Sequence, residues 1–241
     1  MNDRLSYIVF TDFDGTITPT DIGDLMFKVF GGPEECSRAF LEARDGKIGM
    51  MESWRRSCAT VGSLSASTFG TFVDGQKIDA GFRRFEQYCR SKSIPVHILS
   101  DGFDLYIRHV LEKERLSHVP FYSNQMVIED GGVLAPRFPY TDAECIRCAN
   151  CKRNHLLTKS GDDNVIVYIG NGYSDQCPAR FADVVFAKEA LLTYCERENI
   201  TYHRFETFDD VLSRFKPLVE ERHPRKRRTA ELARKEIFMR G

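Results

Sequence analysis

Four short apolar runs along the chain predict strands. They are residues 7–10, 96–99, 165–169 and 184–186. Continuous apolar runs of this length are typical of strands that are buried on both faces of a parallel sheet. Between these runs, apolar residues recur at helical spacing, for example at Phe103, Ile107 and Val110. Strands that alternate with helices predict an α/β fold with a Rossmann-like, doubly wound parallel sheet.

Two stretches interrupt this alternation. The first, residues 21–80, has apolar residues at helical spacing from Ile22 to Phe30, and its Gly and Pro positions divide it into several short helices. The second, residues 121–140, places an Asp-Gly-Gly turn between two apolar runs, which predicts a β-hairpin. The predicted domains are an α/β core at 1–20 and 81–221, a helical insertion at 21–80 and a basic tail at 222–241.

The composition is typical of a folded protein in water. Of the 241 residues, 42% are hydrophobic and 29% are charged, which is typical of globular chains and not of disordered ones. No apolar run approaches the ~18 to 20 residues that span a bilayer. Asp12 and Asp14 interrupt the first apolar run too early for a secretory signal. We therefore expect a cytoplasmic protein without a membrane anchor, and the sequence gives no oligomeric state.

The charge is divided unevenly along the chain. The net charge is −1, but residues 222–241 carry eight Lys and Arg against two Glu, which leaves 26 basic and 33 acidic residues in positions 1–221. A basic block such as 225–228 can bind nucleic acid or anionic lipid, whereas a solvated terminal helix or a frayed tail is the commoner explanation. The acidic body argues against nucleic acid as the main ligand.

Polar residues that directly follow the predicted strands are candidates for chemistry, because ligands bind at the carboxyl ends of strands in an open α/β sheet. The first strand is followed by Asp12 and Asp14, and then by Gly15 and Thr16. One carboxylate of such a pair can attack a phosphoryl group while the other acts as general acid and then base, and both can help to hold a cation. A strand-end turn with an Asx cap is the alternative.

The second and third strands offer further polar groups. Ser100 precedes Asp101 and Gly102, and its hydroxyl can hold an anion together with the backbone N–H groups that open the next helix. A simple N-cap of that helix is the alternative. Asn171 and Asp175, after the third strand, supply hard oxygen ligands of the kind that magnesium prefers.

Lys152 lies upstream of the third strand. A buried cation near a phosphoryl site would neutralise the charge of an aspartyl phosphate. Taken alone, a lysine on a polar helix is usually solvated. Lys152 therefore becomes a candidate only together with the other residues.

The aspartate pair, the serine, the lysine and the acidic loop follow one another in an order that resembles the haloacid dehalogenase superfamily of phosphohydrolases. Residues 12–18, Asp-Phe-Asp-Gly-Thr-Ile-Thr, match the first motif of that family. The resemblance implies that Asp12 is the nucleophile that forms an aspartyl phosphate. It also implies that Asp14 protonates the leaving alcohol and then activates water.

The same resemblance implies which residues bind the phosphoryl group and the metal. Ser100 and Lys152 would hold the phosphoryl oxygens, and Asp101 and Gly102 are candidates for substrate binding beside Ser100. A magnesium ion would be held by Asp12, the carbonyl of Asp14, Asn171 and Asp175.

The helical insertion resembles the small cap of the phosphoserine phosphatase branch, and closure of such a cap excludes water. Within that branch, the first motif, the Cys-x-x-Cys-Lys at 148–152 and the segment 187–192 look most like the methionine-salvage phosphatase that acts on 2-hydroxy-3-keto-5-methylthiopentenyl-1-phosphate. The resemblance implies a phosphomonoesterase with a small phosphorylated metabolite as its substrate. Phosphoserine and phosphoethanolamine or phosphocholine phosphatases belong to the same branch, and active-site motifs do not separate their substrates.

One position departs from the family pattern. Asn171 stands where the family usually has an aspartate that ligates the metal. An amide keeps the oxygen ligand but drops one negative charge, which should weaken magnesium binding unless Asp175 compensates. A phospho-ligand binder with weak turnover is therefore an alternative. Another is a phosphomutase, which would use the same aspartate pair but pass the phosphoryl group to a sugar.

Three polar residues near the helical insertion are candidates for substrate recognition. Asp21 precedes a helix that begins at Ile22, so an N-cap is an equal alternative. Arg55 and Arg56 can hold an acidic group of a substrate bidentately, whereas a solvated surface position is their ordinary explanation.

The chain has eight cysteines. In a cytosolic protein of this size they are more often free, metal-bound or reactive than paired in disulfides. Cys145, Cys148 and Cys151, with His155, supply enough ligands for one zinc ion, but they lie on one short segment, whereas structural zinc sites draw on two separated pairs. Free thiols packed beside Lys152 are the alternative.

Overall fold

A computed structural model describes residues 5–221 and 224–240. The strands are β1 (Ser6–Thr11), β2 (Val96–Phe103), β3 (Phe121–Ile128), β4 (Leu134–Arg137), β5 (Asn164–Gly170), β6 (Val184–Ala187) and β7 (His203–Arg204). They form one sheet with the order β4-β3-β2-β1-β5-β6-β7. Strand β1 pairs in parallel with β2 and β5, β5 pairs in parallel with β6, and β6 with β7. The predicted α/β fold with a mostly parallel sheet is confirmed.

The helices connect these strands. They are α1 (Ile22–Phe30), α2 (Pro33–Arg44), α3 (Met50–Ala59), α4 (Ala66–Asp74), α5 (Ala80–Ser91), α6 (Asp104–Lys113), α7 (Lys152–Lys159), α8 (Gln176–Phe181), α9 (Glu189–Arg197), α10 (Phe208–Glu220) and α11 (Arg228–Arg240). Helices α1 to α4 are the short helices predicted between the first two strands. Among residues 5–221 and 224–240, no helix is long and apolar enough to cross a membrane.

Strand β2 continues further than its apolar run predicts. It extends to Phe103, and α6 begins only at Asp104. Both expectations about a helix at this point are therefore wrong: Ser100 and Asp101 neither cap a helix nor lie at its N-terminus. The strand continues because its backbone finds partners there, as when the Asp101 carbonyl accepts from Asn124 Nδ2 at 2.6 Å.

The chain divides into two compact units. The described part of the first unit comprises the chain up to Ile17, Asp79–Leu99 and the chain from Lys152 onward, and the second unit comprises Thr18–Ile78 and Ser100–Cys151. The boundaries of a functional core and cap stay predictions.

Aromatic packing joins α5 to α10 in the first unit. The rings of Phe82 and Phe208 meet edge to face with centroids 4.9 Å apart, and Phe85 lies 5.7 Å from Phe215. These four side chains have no exposed surface, and burial of each stabilises the fold by roughly 2 to 3 kcal/mol. The carboxylate of Asp79 caps both helices, because it accepts from the N–H groups of Gly81 at 2.6 Å and Phe208 at 3.1 Å.

The basic C-terminal segment is attached to the first unit through Asp183. The Asp183 carboxylate is fully buried and pairs with Arg234 at 3.0 Å, and it also accepts from the backbone N–H of Arg227 at 3.1 Å. The Arg227 side chain donates to the carbonyls of Ala179 and Arg180. At least two of the tail arginines therefore have a structural role. Residues 222, 223 and 241 of the predicted tail lie outside the described residues, as do residues 1–4.

The predicted hairpin is present in the second unit. Strands β3 and β4 pair antiparallel, with Met126 opposite Pro136. Gly131 and Gly132 have φ values of 80° and 82° in the turn, a backbone conformation that L side chains rarely adopt. A Cβ at Gly132 would also lie 2.7 Å from the backbone nitrogen of Leu64, so this turn requires glycine.

Candidate active site

Asp12, Lys152 and Asp175 form a buried charged cluster in the first unit. The Lys152 Nζ donates to Asp12 Oδ1 at 2.6 Å and to Asp175 Oδ1 at 2.7 Å. The side chains of Lys152 and Asp175 have no exposed surface, and that of Asp12 is 8% exposed. The structure thus brings together three candidates from distant parts of the sequence.

The parallel sheet positions this cluster. Asp12 is the first residue after β1, and its N–H donates to the carbonyl of Ile169 in β5 at 2.9 Å. Lys152 opens α7, and Asp175 directly precedes α8. Gly15 has a φ of 72°, and a Cβ there would lie 2.3 Å from Asn171 Nδ2. The loop after Asp14 can therefore approach Asn171 only because residue 15 is glycine.

Both oxygens of Asp175 are engaged by hydrogen-bond donors. Oδ1 accepts from Lys152 and from the hydroxyl of Tyr168 at 2.6 Å, and Oδ2 accepts from the N–H groups of Asn171 at 2.9 Å and Gly172 at 2.8 Å. A carboxylate has about four such acceptor sites, so Asp175 would have to exchange a donor for a cation in order to ligate one. In this arrangement it positions Lys152 and the loop after β5.

Sequence reasoning missed Tyr168. Its side chain is fully buried in β5, and burial, followed by the charges of Asp175 and Asp12, raises its pKa. It therefore remains a neutral hydrogen-bond donor. The available signal was a single aromatic residue with a polar group in an otherwise aliphatic strand.

The charges of the cluster do not balance. Burial raises the pKa of Asp12, the nearby Asp175 carboxylate raises it further, and Lys152 opposes both. Burial alone would lower the pKa of Lys152, but the charges of Asp12 and Asp175 outweigh it and raise the pKa. Two carboxylates against one ammonium leave one negative charge in a buried site, and such a site attracts a cation.

Asn171 lies directly after β5, between the first motif and the start of α9. Its Oδ1 accepts from Thr16 Oγ1 at 3.0 Å, and its Nδ2 donates to Glu189 Oε2 at 2.8 Å. The sequence reasoning did not single out Glu189. The signal was present, because Lys188 and Glu189 come one residue after the fourth apolar run, as Asp12 comes one residue after the first.

The donors on this side of the first unit fit magnesium by their chemistry. The Asp12 carboxylate, the Asp14 carbonyl and the Asn171 amide oxygen are hard oxygen ligands, and Mg²⁺ is usually held by one or two carboxylates with its other positions filled by water or substrate. Over the described ranges, no group of three or more His, Cys, Asp or Glu side chains is arranged to hold a metal ion. A site of one carboxylate with carbonyl oxygens would not form such a group.

Ser100 lies inside β2, in the part of the strand that belongs to the second unit. Its side chain is buried, and its Oγ accepts from the N–H of Gly102 at 2.9 Å. Ile98, two residues earlier, pairs with Thr11 of β1. A role for Ser100 and Gly102 in binding phosphoryl oxygens stays a proposal.

Asp101 holds the turn before Lys152. Its Oδ1 accepts from the backbone N–H groups of Ala149 at 2.9 Å and Asn150 at 2.7 Å. The fully buried Asn150 donates from Nδ2 to the Ser100 carbonyl at 2.7 Å. These contacts give Asp101 a structural role, and Asn150 is a further positioning residue that sequence reasoning missed.

Asp21 is the N-cap of α1, as the structural alternative predicted. Its Oδ1 accepts from the N–H of Asp24 at 2.8 Å. This contact contributes roughly 1 kcal/mol to helix stability. A further role in substrate recognition stays a proposal.

The two candidate arginines of α3 have different surroundings. Arg56 pairs with Glu35 and Glu42, each at 2.6 Å. Arg55 is 56% exposed, lies 3.9 Å from Glu52 and stacks over the ring of Phe138 at 5.3 Å. Because two carboxylates already hold Arg56, the more exposed Arg55 is the better candidate for an acidic substrate group.

No disulfide bond links the cysteines of the described residues. A hydrogen bond with Cys151, then burial and the charge of Asp101, raise the pKa of Cys148. Zinc requires thiolates as ligands, and no metal-binding group is found in the part of the chain described. The hypothesis of zinc at Cys145, Cys148 and Cys151 therefore has no support.

His155 should make the stability of the protein depend on pH. It is buried in α7, and burial, followed by the charges of Lys159 and His97, lowers its pKa from 6.5 to about 4. Since the folded-state pKa lies below the unfolded one, this stability is present above pH 6.5 and is lost as the pH falls through about 4, by up to about 3 kcal/mol. Urea unfolding at pH 7 and pH 4.5 measures the loss.

His155→Gln should remove this part of the pH dependence, whereas His118→Gln, at an exposed position, should retain it. Equal pH dependence in the wild type and in His155→Gln would contradict the assignment to His155.

The family model described as haloacid dehalogenase-like hydrolase matches residues 9–180. This span contains all three residues of the charged cluster, Asp12, Lys152 and Asp175. The chain belongs to the haloacid dehalogenase-like hydrolases.

Two curated relatives extend over most of the chain. A 2-hydroxy-3-keto-5-methylthiopentenyl-1-phosphate phosphatase of Bacillus cereus is 29% identical over 224 residues, which cover 90% of this chain and 99% of that protein. A polyol phosphate phosphatase of Saccharomyces cerevisiae is 25% identical over 225 residues, with 88% and 93% coverage. The family and these relatives support a phosphatase.

A solved structure has a similar fold. A phosphoserine phosphatase, determined as an analogue of its phospho-aspartyl intermediate, superimposes with a TM-score of 0.67 and covers 88% of this chain and 99% of its own. The sequence identity is 18%, so this similarity concerns the fold alone.

Proposed function

We propose that the protein is a magnesium-dependent phosphomonoesterase that acts through an aspartyl-phosphate intermediate. The observation that carries this proposal is the buried cluster of Asp12, Lys152 and Asp175 at the carboxyl ends of β1 and β5. A carboxylate held beside a buried ammonium is suited to attack on a phosphoryl group, because the ammonium neutralises the charge that the group brings.

In the proposed reaction, the Asp12 oxygen that does not accept from Lys152 attacks phosphorus and displaces the alcohol. Asp14 donates a proton to the leaving oxygen and then removes one from the water that hydrolyses the aspartyl phosphate. Lys152 stays in place through its bond to Asp175, and Ser100 binds phosphoryl oxygens. Asp175 and Tyr168 act by positioning Lys152.

Phosphatases of this family generally use Mg²⁺. In this chain Asp12, the Asp14 carbonyl and Asn171 would hold the ion. Asp175 would act indirectly, because it accepts hydrogen bonds from Lys152 and from the N–H of Asn171. When bound, Mg²⁺ stabilises negative charge on the phosphoryl oxygens.

The proposed substrate is a small phosphorylated metabolite. The Bacillus relative makes 2-hydroxy-3-keto-5-methylthiopentenyl-1-phosphate the first candidate, and the yeast relative adds polyol phosphates. Phosphoserine, phosphoethanolamine and phosphocholine are the other candidates of the branch. We also propose residues 21–80 as the cap that selects the leaving group, and a cytoplasmic location.

A panel of small phosphomonoesters, assayed for released phosphate with and without Mg²⁺, tests the proposal. We expect one ester to exceed the others in kcat/KM by at least about tenfold, because recognition of the leaving group contributes 1.4 kcal/mol or more. EDTA should abolish release, and added Mg²⁺ should restore it.

Two outcomes would contradict the proposal. Transfer of phosphate to a sugar without release would indicate a phosphomutase. Saturable binding of the esters with Mg²⁺ present and no release from any of them would indicate a phospho-ligand binder.

A further inference from the structure

The negative charge that Asn171 lacks is not replaced by Asp175. All four acceptor sites of the Asp175 carboxylate are engaged by Lys152, Tyr168 and two backbone N–H groups. Its charge is already shared with the Lys152 ammonium at 2.7 Å. A carboxylate that compensates for the uncharged Asn171 is therefore a residue other than Asp175.

Glu189 is the carboxylate that contacts Asn171. Its Oε2 accepts from Asn171 Nδ2 at 2.8 Å. Backbone bonds fasten the same two segments together, because the N–H of Leu191 donates to the Asn171 carbonyl at 2.8 Å and that of Lys188 to the Gly170 carbonyl at 3.3 Å. The backbone positions of Asn171 and Glu189 are thus fixed relative to each other by the fold.

The backbone of Glu189 is unusual. Its φ is 50°, in the left-handed region that residues with a side chain rarely occupy. Such conformations concentrate at functional sites, where the surrounding structure holds them. Here the unusual residue is the one whose carboxylate contacts Asn171.

The contact changes what Asn171 offers to a cation. An amide whose N–H donates to a carboxylate carries more negative charge on its oxygen, because hydrogen bonds polarise one another. The Asn171 Oδ1 accepts one bond, from Thr16, and an amide oxygen has a second lone pair. The carboxylate behind the amide also attracts the cation directly through space.

We propose that Glu189 supplies, through Asn171, the negative charge that the uncharged amide lacks, and so sets the affinity for Mg²⁺. Glu189 is then a positioning residue of the metal site. Asn171 provides the ligand oxygen and Glu189 provides the negative charge, whereas an aspartate would provide both. The inference rests on the proposed magnesium-dependent function.

Isothermal titration with Mg²⁺ alone tests this in the intact protein. Glu189→Gln keeps an acceptor for the Asn171 amide and removes only the charge, so we expect binding about fivefold to tenfold weaker. The double variant Asn171→Asp/Glu189→Gln moves the carboxylate to residue 171 and should bring the affinity back to within about threefold of the wild type. Glu198→Gln, an exposed residue at the other end of α9, changes the net charge equally and should bind like the wild type.

Salt provides a second readout. Because Glu189 is exposed, the difference between the wild type and Glu189→Gln should shrink when the NaCl concentration rises from 0.05 M to about 1 M. A role limited to orienting the amide would give Glu189→Gln the affinity of the wild type at every salt concentration, and that result would overturn the inference. Failure of the double variant to bind more tightly than Glu189→Gln would overturn it as well.

The two proposals fail in different ways. If the wild type itself binds no Mg²⁺ at millimolar concentrations, the magnesium-dependent function is wrong and this inference falls with it. If the wild type binds Mg²⁺ and Glu189→Gln binds it equally, only the inference about Glu189 is wrong.

Discussion

Asp12→Asn should abolish hydrolysis of a generic aryl phosphate, with kcat/KM lower by at least about a thousandfold, while the protein remains folded. The amide keeps the shape of the side chain but cannot act as a nucleophile. The variant also removes one of two carboxylates that face a single buried ammonium. Since burial raises the pKa of Asp12, its ionised form costs folding energy at neutral pH, so we expect an unchanged or higher Tm.

Phosphate release and thermal unfolding, measured on the same preparations, test both halves of this expectation. Asp162→Asn, at an exposed position in the turn before β5, is the matched control and should behave like the wild type. Retained turnover in Asp12→Asn would refute the nucleophile assignment. A large fall in Tm would refute the account of the charge balance.

Lys152→Met should destabilise the protein by about 3 to 5 kcal/mol, because it leaves two buried carboxylates without their common partner. The Lys152 side chain has no exposed surface and donates to Asp12 and Asp175 at 2.6 and 2.7 Å. We also expect loss of turnover. Lys152→Met should therefore destabilise the protein and Asp12→Asn should not, although both remove a charge from the same cluster.

The loss in Lys152→Met should depend on pH with a definite sign. The folded-state pKa of Asp12 is already raised above its usual 3.8, and removal of the ammonium raises it further. The stability of such a group is present below the unfolded pKa and is lost as the pH rises, so the variant should approach the wild type as the pH falls toward 4. Urea unfolding at pH 7.5 and pH 5 measures this.

Lys159→Met, at the other end of the same helix and only half-buried, should cost less than about 1 kcal/mol. A similar small cost for Lys152→Met, or a difference from the wild type that grows on acidification, would contradict the interpretation of the cluster.

Several elements follow from local pattern alone. The apolar runs at 7–10, 96–99, 165–169 and 184–186 all lie in parallel strands, because strands buried on both faces of a sheet carry apolar residues at successive positions. The Asp-Gly-Gly turn became the hairpin of β3 and β4 for a local reason as well, since its glycines have positive φ. The length of β2 did not follow, because Ser100 and Asp101 interrupt its apolar run and the backbone there is held by partners such as Asn124.

Some residues of the candidate site could likewise be selected from the sequence, and others only from the structure. Asp12, Lys152 and Asp175 could be selected from the sequence because each belongs to a motif with a recognisable chemistry. Tyr168, which donates to Asp175 at 2.6 Å, belongs to no motif, and neither does Asn150, which donates to the Ser100 carbonyl at 2.7 Å. Their roles depend on side-chain hydrogen bonds that sequence spacing does not show, since Tyr168 lies seven residues before Asp175 and Asn150 lies 50 residues after Ser100.

The sequence by itself determined the fold class, the family and the identity of the charged groups, because apolar periodicity and the order of the motifs can be read along the chain. Only the tertiary structure decided which groups contact each charged side chain. It showed that hydrogen-bond donors occupy all four acceptor sites of the Asp175 carboxylate. It also showed that the carboxylate in contact with Asn171 belongs to Glu189, which is 18 residues further along the chain. Such assignments depend on distances of 2.6 to 3.0 Å between elements that the fold brings together, and sequence spacing carries no record of those distances.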